Sequence, residues 1–253
     1  MAISANTLFH FTEKDHLKKI LKDYFFPKYS LENISHATPE NSIYGSSYIP
    51  MVCFCDLLFS QIKDHVEFYG YYGIGLRKKE WGLKKGISPI VYVPDKSISG
   101  AYIQSIAETV NTKFSDNVDF SGINKQLLDF YKYIKPYNGE AFNRGQKKMQ
   151  KMIFYNEREW RFVPKKFRVI AEIEREQEEM NQIIKDYNLE MQTKSQLKFA
   201  AKDIKYIIVK NENEIPEFVD FIERELEPTF KDEKERKLLV AKLISVQQIG
   251  EDI

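Results

Sequence analysis

Leu8-Phe9-His10-Phe11-Thr12, running directly into residues 13–24 (EKDHLKKILKDY), is the stretch from which the fold is read. The first five residues alternate as a half-buried strand does. From Glu13 onward the apolar positions move to Leu17, Ile20 and Leu21, which share one helical face. A strand therefore turns straight into a helix, and the pattern continues downstream. Met51-Val52-Cys53-Phe54-Cys55 reads as a short buried strand and residues 57–69 as a helix ending at Gly70, near a left-handed cap. Tyr72-Gly73-Ile74-Gly75-Leu76 and Ile90-Val91-Tyr92-Val93 give two more strands around Trp81. Ile204-Lys205-Tyr206-Ile207-Ile208-Val209 is the strongest strand, followed by a helix from Ile215 to about Leu226 that turns Phe218, Phe221 and Ile222 inward. The pattern is one of short strands with helices packed between them, and an α+β fold is expected.

The remaining segments fill in around these. Residues 25–50, rich in Pro, Ser, Asn and Gly, read as a long loop with little regular structure. Residues 99–150 read as a helical insert, with Ile103, Ile106, Val110, Leu127, Leu128, Tyr131 and Ile134 at core-facing spacings. Residues 157–163 alternate as a strand, 168–173 suggest another, and 174–194 form a charged, solvated helix. Residues 238–248 close the chain, and no internal repeat stands out. One domain spanning 1–253 is expected.

Composition narrows the classes. With 43% hydrophobic and 30% charged residues the chain is globular rather than disordered, and 15 Tyr and 18 Phe suit a packed sheet or a cleft that stacks planar rings. The 38 basic and 37 acidic residues leave a net charge of +1, so no global excess marks a nucleic-acid binder. No run approaches the roughly 18 apolar residues of a membrane span, and the first residues lack a signal-peptide pattern, so a cytoplasmic protein without membrane contact is expected. Cys53 and Cys55, one residue apart on a strand, are expected to be reduced thiols.

The sharpest local feature is Asn156-Glu157-Arg158-Glu159-Trp160-Arg161-Phe162. Period-two geometry puts Glu157, Glu159 and Arg161 on one face and Trp160 and Phe162 on the other. The charged face is either a solvated surface with cross-strand pairs, or a carboxylate pair at a cleft that opposes charge developing on a sugar ring and orients a nucleophile. His10 and Thr12 share a strand face: His10 is either an ordinary structural histidine or, with Thr12, a grip on a ribose or phosphate. His65 and Tyr69 lie four apart on one helical face with Tyr72 beyond, as core packing or as the wall of a nicotinamide site. Cys53, Cys55 and His65 lack the further ligands of a zinc site, so no metal is expected.

These pieces, in this order, resemble the AbiGi-type abortive-infection family. The resemblance rests on residues 8–12, Pro50-Met51-Val52-Cys53-Phe54-Cys55-Asp56, His65 with Tyr69-Gly70, residues 72–76, Trp81 and the Glu-x-Glu-Trp-Arg segment. The same skeleton looks like an ADP-ribosyltransferase-like pattern. What this implies is a split mixed or antiparallel sheet with a cleft for NAD⁺. His10 with Thr12 would hold the adenosine ribose, an aromatic from Tyr69 or Tyr72 would stack the nicotinamide, with His65 and Arg161 alongside, and Glu159 with Glu157 would carry catalysis. The implied function is a phage-defence transferase of ADP-ribose to a macromolecule, RNA or DNA included, neutralised by an antitoxin. Its alternative is a non-catalytic antitoxin or protein-binding module on the same scaffold. The lysine-rich stretches 78–79, 84–85, 144–151 and 165–168 are either a track for a nucleic-acid acceptor or ordinary dispersed surface charge.

Overall fold

The structure, a computed structural model, describes residues 4–33, 35, 46–113, 129–143, 146–167, 170–171 and 177–252. In chain order, β1 (Thr7–Thr12) leads into α1 (Lys14–Asp23), β2 (Lys28–Asn33), β3 (Ser46–Cys55), α2 (Lys63–Tyr69) and β4 (Tyr72–Arg77). The short strands β5 (Ser88–Pro89) and β6 (Val91–Val93) precede α3 (Ile98–Lys113), β7 (Ile134–Pro136), β8 (Gly139–Asn143) and β9 (Lys148–Met152). Then come β10 (Glu159–Phe162), β11 (Ile170–Ala171), α4 (Gln177–Lys194), β12 (Ile204–Val209), α5 (Ile215–Glu225), α6 (Glu233–Val240), β13 (Leu243–Ser245) and α7 (Val246–Asp252).

Seven strands run in the order β13-β12-β4-β1-β3-β10-β5, and β2 and β11 add to β3. The fold is α+β and the sheet is mixed: β12 and β13 are parallel, the other pairings antiparallel. Its weakest seam lies between β1 and β3, which share a single residue pair, Phe9–Cys55. Beyond that pair the sheet splits.

Cross-strand partners of an antiparallel ladder share a face, so the register assigns every side chain. Leu8, His10 and Thr12 fall with Leu76, Ile74 and Tyr72 on one face, which packs under Leu17 and Leu21 of α1 and Phe218, Phe221 and Ile222 of α5. Phe9 and Phe11 fall with Cys55 on the other, covered by Ile62, Val66 of α2 and Ile249 of α7. Burying both faces explains why the end of β12, Ile207–Val209, is continuously aliphatic rather than alternating. Among the described residues no helix is long and apolar enough to cross a membrane.

Three expectations need correction. Residues 25–50 are not a structureless loop: β2 pairs with β3 from Lys28–Met51 to Asn33–Ser46. Its turn-rich composition hid a ribbon whose β2 side is largely exposed, and residues 36–45 lie outside the described part. Of the insert read as helical at 99–150, α3 runs to Lys113 and residues 129–131 are helical, but from Ile134 the chain runs through β7, β8 and β9, where Pro136 and Gly139 disfavour a helix. Within it Tyr131 and Ile134 are buried as their spacing implies, but Ile106 is exposed. Leu127, Leu128 and the side chain of Val110 fall outside the described residues. The helix read at 57–69 begins only at Lys63, after a single 3-10 turn at Phe59–Gln61.

Gly70 closes α2 at φ 125, and a Cβ there would sit 2.3 Å from the Thr12 carbonyl oxygen. The chain passes so close to β1 that only glycine fits. Gly70→Ala is therefore expected to lower the unfolding free energy in urea by roughly 1–3 kcal/mol from backbone strain alone. An unchanged midpoint would show that this approach is not tight.

Candidate functional site

The charged segment at 156–162 is the centre of the site, although it is not one continuous strand. Residues Phe154–Glu157 form a 3-10 turn, Arg158 takes a left-handed conformation at φ 44, and β10 begins at Glu159. The turn still delivers Glu157 to the same place as Glu159 and Arg161, and all three are buried. The face is therefore not a solvated one.

Buried charges persist only when paired, and each carboxylate oxygen here has a donor. Lys135 of β7 donates from Nζ to Glu157 Oε2 at 2.7 Å and to Glu159 Oε2 at 2.9 Å. Arg161 Nε donates to Glu159 Oε1 at 2.5 Å, and the Tyr69 hydroxyl donates to Glu157 Oε1. Arg161 uses its remaining nitrogens on the Lys132 carbonyl oxygen at 3.0 Å and on Glu32 Oε2 of β2 at 2.8 Å. The backbone N–H of Glu159 donates to the Tyr92 hydroxyl oxygen at 2.8 Å.

The two carboxyls titrate apart. Burial alone would raise Glu159, but Arg161 and then Lys135 outweigh it and hold the group below the usual carboxylate range. Burial dominates at Glu157 and, with repulsion from Glu159, raises it in spite of Lys135. Burial also works against Lys135 and Arg161, yet the surrounding carboxylates keep both firmly cationic. Burial and the neighbouring Glu157 push the Tyr69 hydroxyl up, so it stays a donor.

The expected site residues divide by face. Tyr69 joins the ion cluster, and His65 lies with its ring 4.6 Å from Tyr69 and 5.5 Å from Phe11. Glu159 pairs with Cys55 and so shares the face of Phe9. His10 and Thr12 alternate to the opposite face. There Thr12 is buried and paired with Tyr72, and Tyr72 stacks on Phe218 and donates to Glu214 Oε1 at 2.9 Å. His10 sits at the split: its Nδ1 donates to the Cys53 carbonyl oxygen at 2.8 Å, and its ring packs edge-on against Phe25 and Phe54. The expected convergence of His10, Thr12, a tyrosine and Glu159 on one cleft is not what this register builds.

Sequence reasoning missed Glu32, Lys135 and Tyr92. Their one available signal was indirect: Glu157, Glu159 and Arg161 on one inward face leave an unbalanced carboxylate, which obliges a cation from elsewhere. Cys55 is buried and Cys53 half-buried, and burial raises both thiols well above their usual value. Among the described residues no group of three or more His, Cys, Asp or Glu is placed to hold a metal ion.

His65 gives the cluster a pH signature. Burial, then repulsion from His10 and Lys135, lowers it from 6.5 to about 3. The unfolded chain therefore takes up this proton at a higher pH than the folded one, and stability falls as pH drops below the unfolded value. Below pH 6 the unfolding free energy should decline by up to ~1.4 kcal/mol per pH unit from this group. His65→Phe should flatten the decline between pH 6 and 4 in urea titrations, before Glu159 begins to lose its charge. An equal slope in both proteins would refute the assignment.

The comparisons with known proteins agree on a family. The description "Putative abortive phage resistance protein AbiGi, antitoxin" belongs to the family that matches residues 23–210. The abortive phage resistance protein AbiGi of Lactococcus lactis subsp. cremoris is 28% identical over 257 residues, covering 90% of this chain and 99% of its own. No solved structure matches. The family match begins within α1, runs through the ion cluster and ends after β12, and on it the chain belongs to the AbiGi family of abortive phage resistance proteins.

Proposed function

We propose that this chain works in phage defence as the neutralising, protein-binding partner of a toxin, on an ADP-ribosyltransferase-like split sheet whose catalytic cleft is closed. The observation that carries this reading is the internal saturation of the carboxylate pair. Lys135, Arg161 and Tyr69 occupy all four oxygens of Glu157 and Glu159. A carboxylate that opposes an oxocarbenium ion must face the sugar with its charge uncompensated. Here two cations already lie against it. The residues expected to grip NAD⁺ do not compose one cleft either, since Thr12 lies on the far face beside Tyr72, which packs against α5. The group fits a structural lock better than a dinucleotide site.

One observation favours the competing reading, a transferase of ADP-ribose from NAD⁺ to a nucleic-acid or protein acceptor. Glu157 is raised towards the range of a general acid or base, with Tyr69 in contact and His65 beside Tyr69. In that reading a rearrangement would have to free Glu159 from Arg161.

Glu159→Gln separates the two. As a lock, the change leaves Arg161 and Lys135 short of a buried counter-charge and should cost about 3–5 kcal/mol of stability. Wild-type protein should protect cells from the cognate toxin and release no nicotinamide from NAD⁺. Glu159→Gln should protect only as far as it remains folded. Nicotinamide release by the wild type, abolished in a Glu159→Gln protein of unchanged stability, would establish the transferase instead.

A further inference from the structure

Between Lys135, in the separate β6–β7 pair, and Glu157, just before β10, the chain forms a β8–β9 ribbon, so the ion pair of these two residues closes the neck of an excursion. The ribbon is a separate two-stranded sheet, in register from Gly139–Met152 to Asn143–Lys148. Isolated two-stranded ribbons are marginally stable in water, and this one is fastened at both ends. At the base, Gly139 lies against Phe154 so closely that a Cβ would meet its ring at 2.7 Å. Tyr137 and Tyr155 stack with centroids 5.6 Å apart, and Lys135 Nζ sits 4.4 Å from the Phe154 ring centroid. Near the turn, Asn143 donates from Nδ2 to Gln150 Oε1 at 2.9 Å and accepts from the Gln146 N–H at 2.9 Å.

The arm displays apolar side chains to solvent. Phe142 and Met149 are direct cross-strand partners on one face, yet 54% and 57% exposed. Period-two geometry places Lys151 on the same side as Met149, across from Glu140, while Lys147 sits in the turn just before β9. Three lysines, Lys147, Lys148 and Lys151, stand against one carboxylate, Glu140. At the base a cavity of about 330 Å³ is lined by Asn138, Gly139, Glu140, Lys151, Met152 and Ile153. The arm therefore presents an exposed apolar pair on a ribbon whose described residues carry more positive than negative charge, with a notch at its base.

We propose that the β8–β9 ribbon is the docking arm for the neutralised protein. Phe142 and Met149 enter an apolar pocket on that partner, and aspartates and glutamates around the pocket meet Lys147, Lys148 and Lys151. This rests on the protein-binding reading above and names the surface that carries it. Charge complementarity points to an acidic partner, and the apolar pair decides its class. Phe and Met are enriched at the cores of protein interfaces, whereas a phosphate backbone would engage the lysines and leave Phe142 and Met149 in water.

The test uses the full chain and the purified cognate toxin from the same locus, titrated calorimetrically and paired with growth rescue. Phe142→Ala with Met149→Ala should weaken binding on the order of a hundredfold or more and lose rescue, with the thermal midpoint unchanged because the ribbon lies outside the core. Lys147→Glu with Lys151→Glu should weaken it by about tenfold and remove its salt dependence. Wild-type affinity and rescue in the alanine variant would overturn the docking arm while leaving the neutralising role standing. If the wild type itself neither binds nor rescues, the protein-binding reading falls first. Binding of a random-sequence DNA duplex, abolished by the lysine reversals and indifferent to the alanine changes, would overturn the proposal in favour of a nucleic-acid surface. A concentration-dependent dimer abolished by the alanine changes would overturn it in favour of a second copy.

Discussion

Lys135 is shared between Glu157 and Glu159, and most of the sheet's second half depends on that sharing. Burying a charge costs several kcal/mol, and the cost is recovered only when the partners are complete and well aligned. The cluster meets that condition by recruiting from segments far apart in sequence: Glu32 from β2, Lys135 from β7, Arg161 and Glu159 from β10, and Tyr69 from the end of α2. No one of these segments can take its place without stranding a charge elsewhere. The ionic group therefore acts less as a source of stability than as a condition of register, since a one-residue slip of β10 would turn Glu159 and Arg161 to the other face.

The split between β1 and β3 gives the two halves of the sheet different chemistry. From β1 through β4 to β12, interior contacts are aliphatic and aromatic, and glycines at 73 and 75 let Phe9 and Phe11 lie flat against β4. On the β3–β10 side the inward face is ionic. His10 stands at the seam, and its hydrogen bond to the Cys53 carbonyl replaces the ladder where β1 and β3 part. A similar small closure occurs beside it, where Lys78 donates to Asp56 at 2.8 Å beneath the ring of Trp160.

How much of this could be read from the sequence depended on where each residue's partner lies. β1, α1, β4, β12 and α5 were legible because burial imposes a period on neighbouring residues, and Phe218, Phe221 and Ile222 declare their face without reference to anything distant. The β2–β3 pairing was not, because Lys28, Ser30, Glu32 and Asn33 have no strand preference and take their extended form from pairing with β3. The span 134–152 misled because Ile134 follows the helical Tyr131 at a helix-like spacing and is buried with it against Val93, although Ile134 opens the short parallel strand β7. The Glu157, Glu159 and Arg161 trio was visible and does come together, although Glu157 arrives from a 3-10 turn rather than along the strand. What it faced was not visible, since Lys135, Glu32 and Tyr69 reach it only through the tertiary fold. His10 and Thr12 were likewise placed together correctly, and only the pairing of Phe9 with Cys55, and Cys55 with Glu159, sets them on the far side.

The antiparallel pairing of β4 with β12 carries a consequence for how the chain is made. β4 is flanked by β1, from the first residues, and by β12, which begins at Ile204. While residues 72–77 emerge during synthesis, one edge of β4 and the aliphatic face above it have no cover until about 130 further residues have been added. Pairings that span such separations close late and leave strand edges exposed in the interval. The parallel β12–β13 pair, hydrogen-bonded through Ile207–Leu243 and Ile208–Ile244, comes later still. Completion of the sheet thus waits on nearly the whole chain, and a fragment ending before β12 would present to the cell an open hydrophobic edge rather than a smaller version of the same protein.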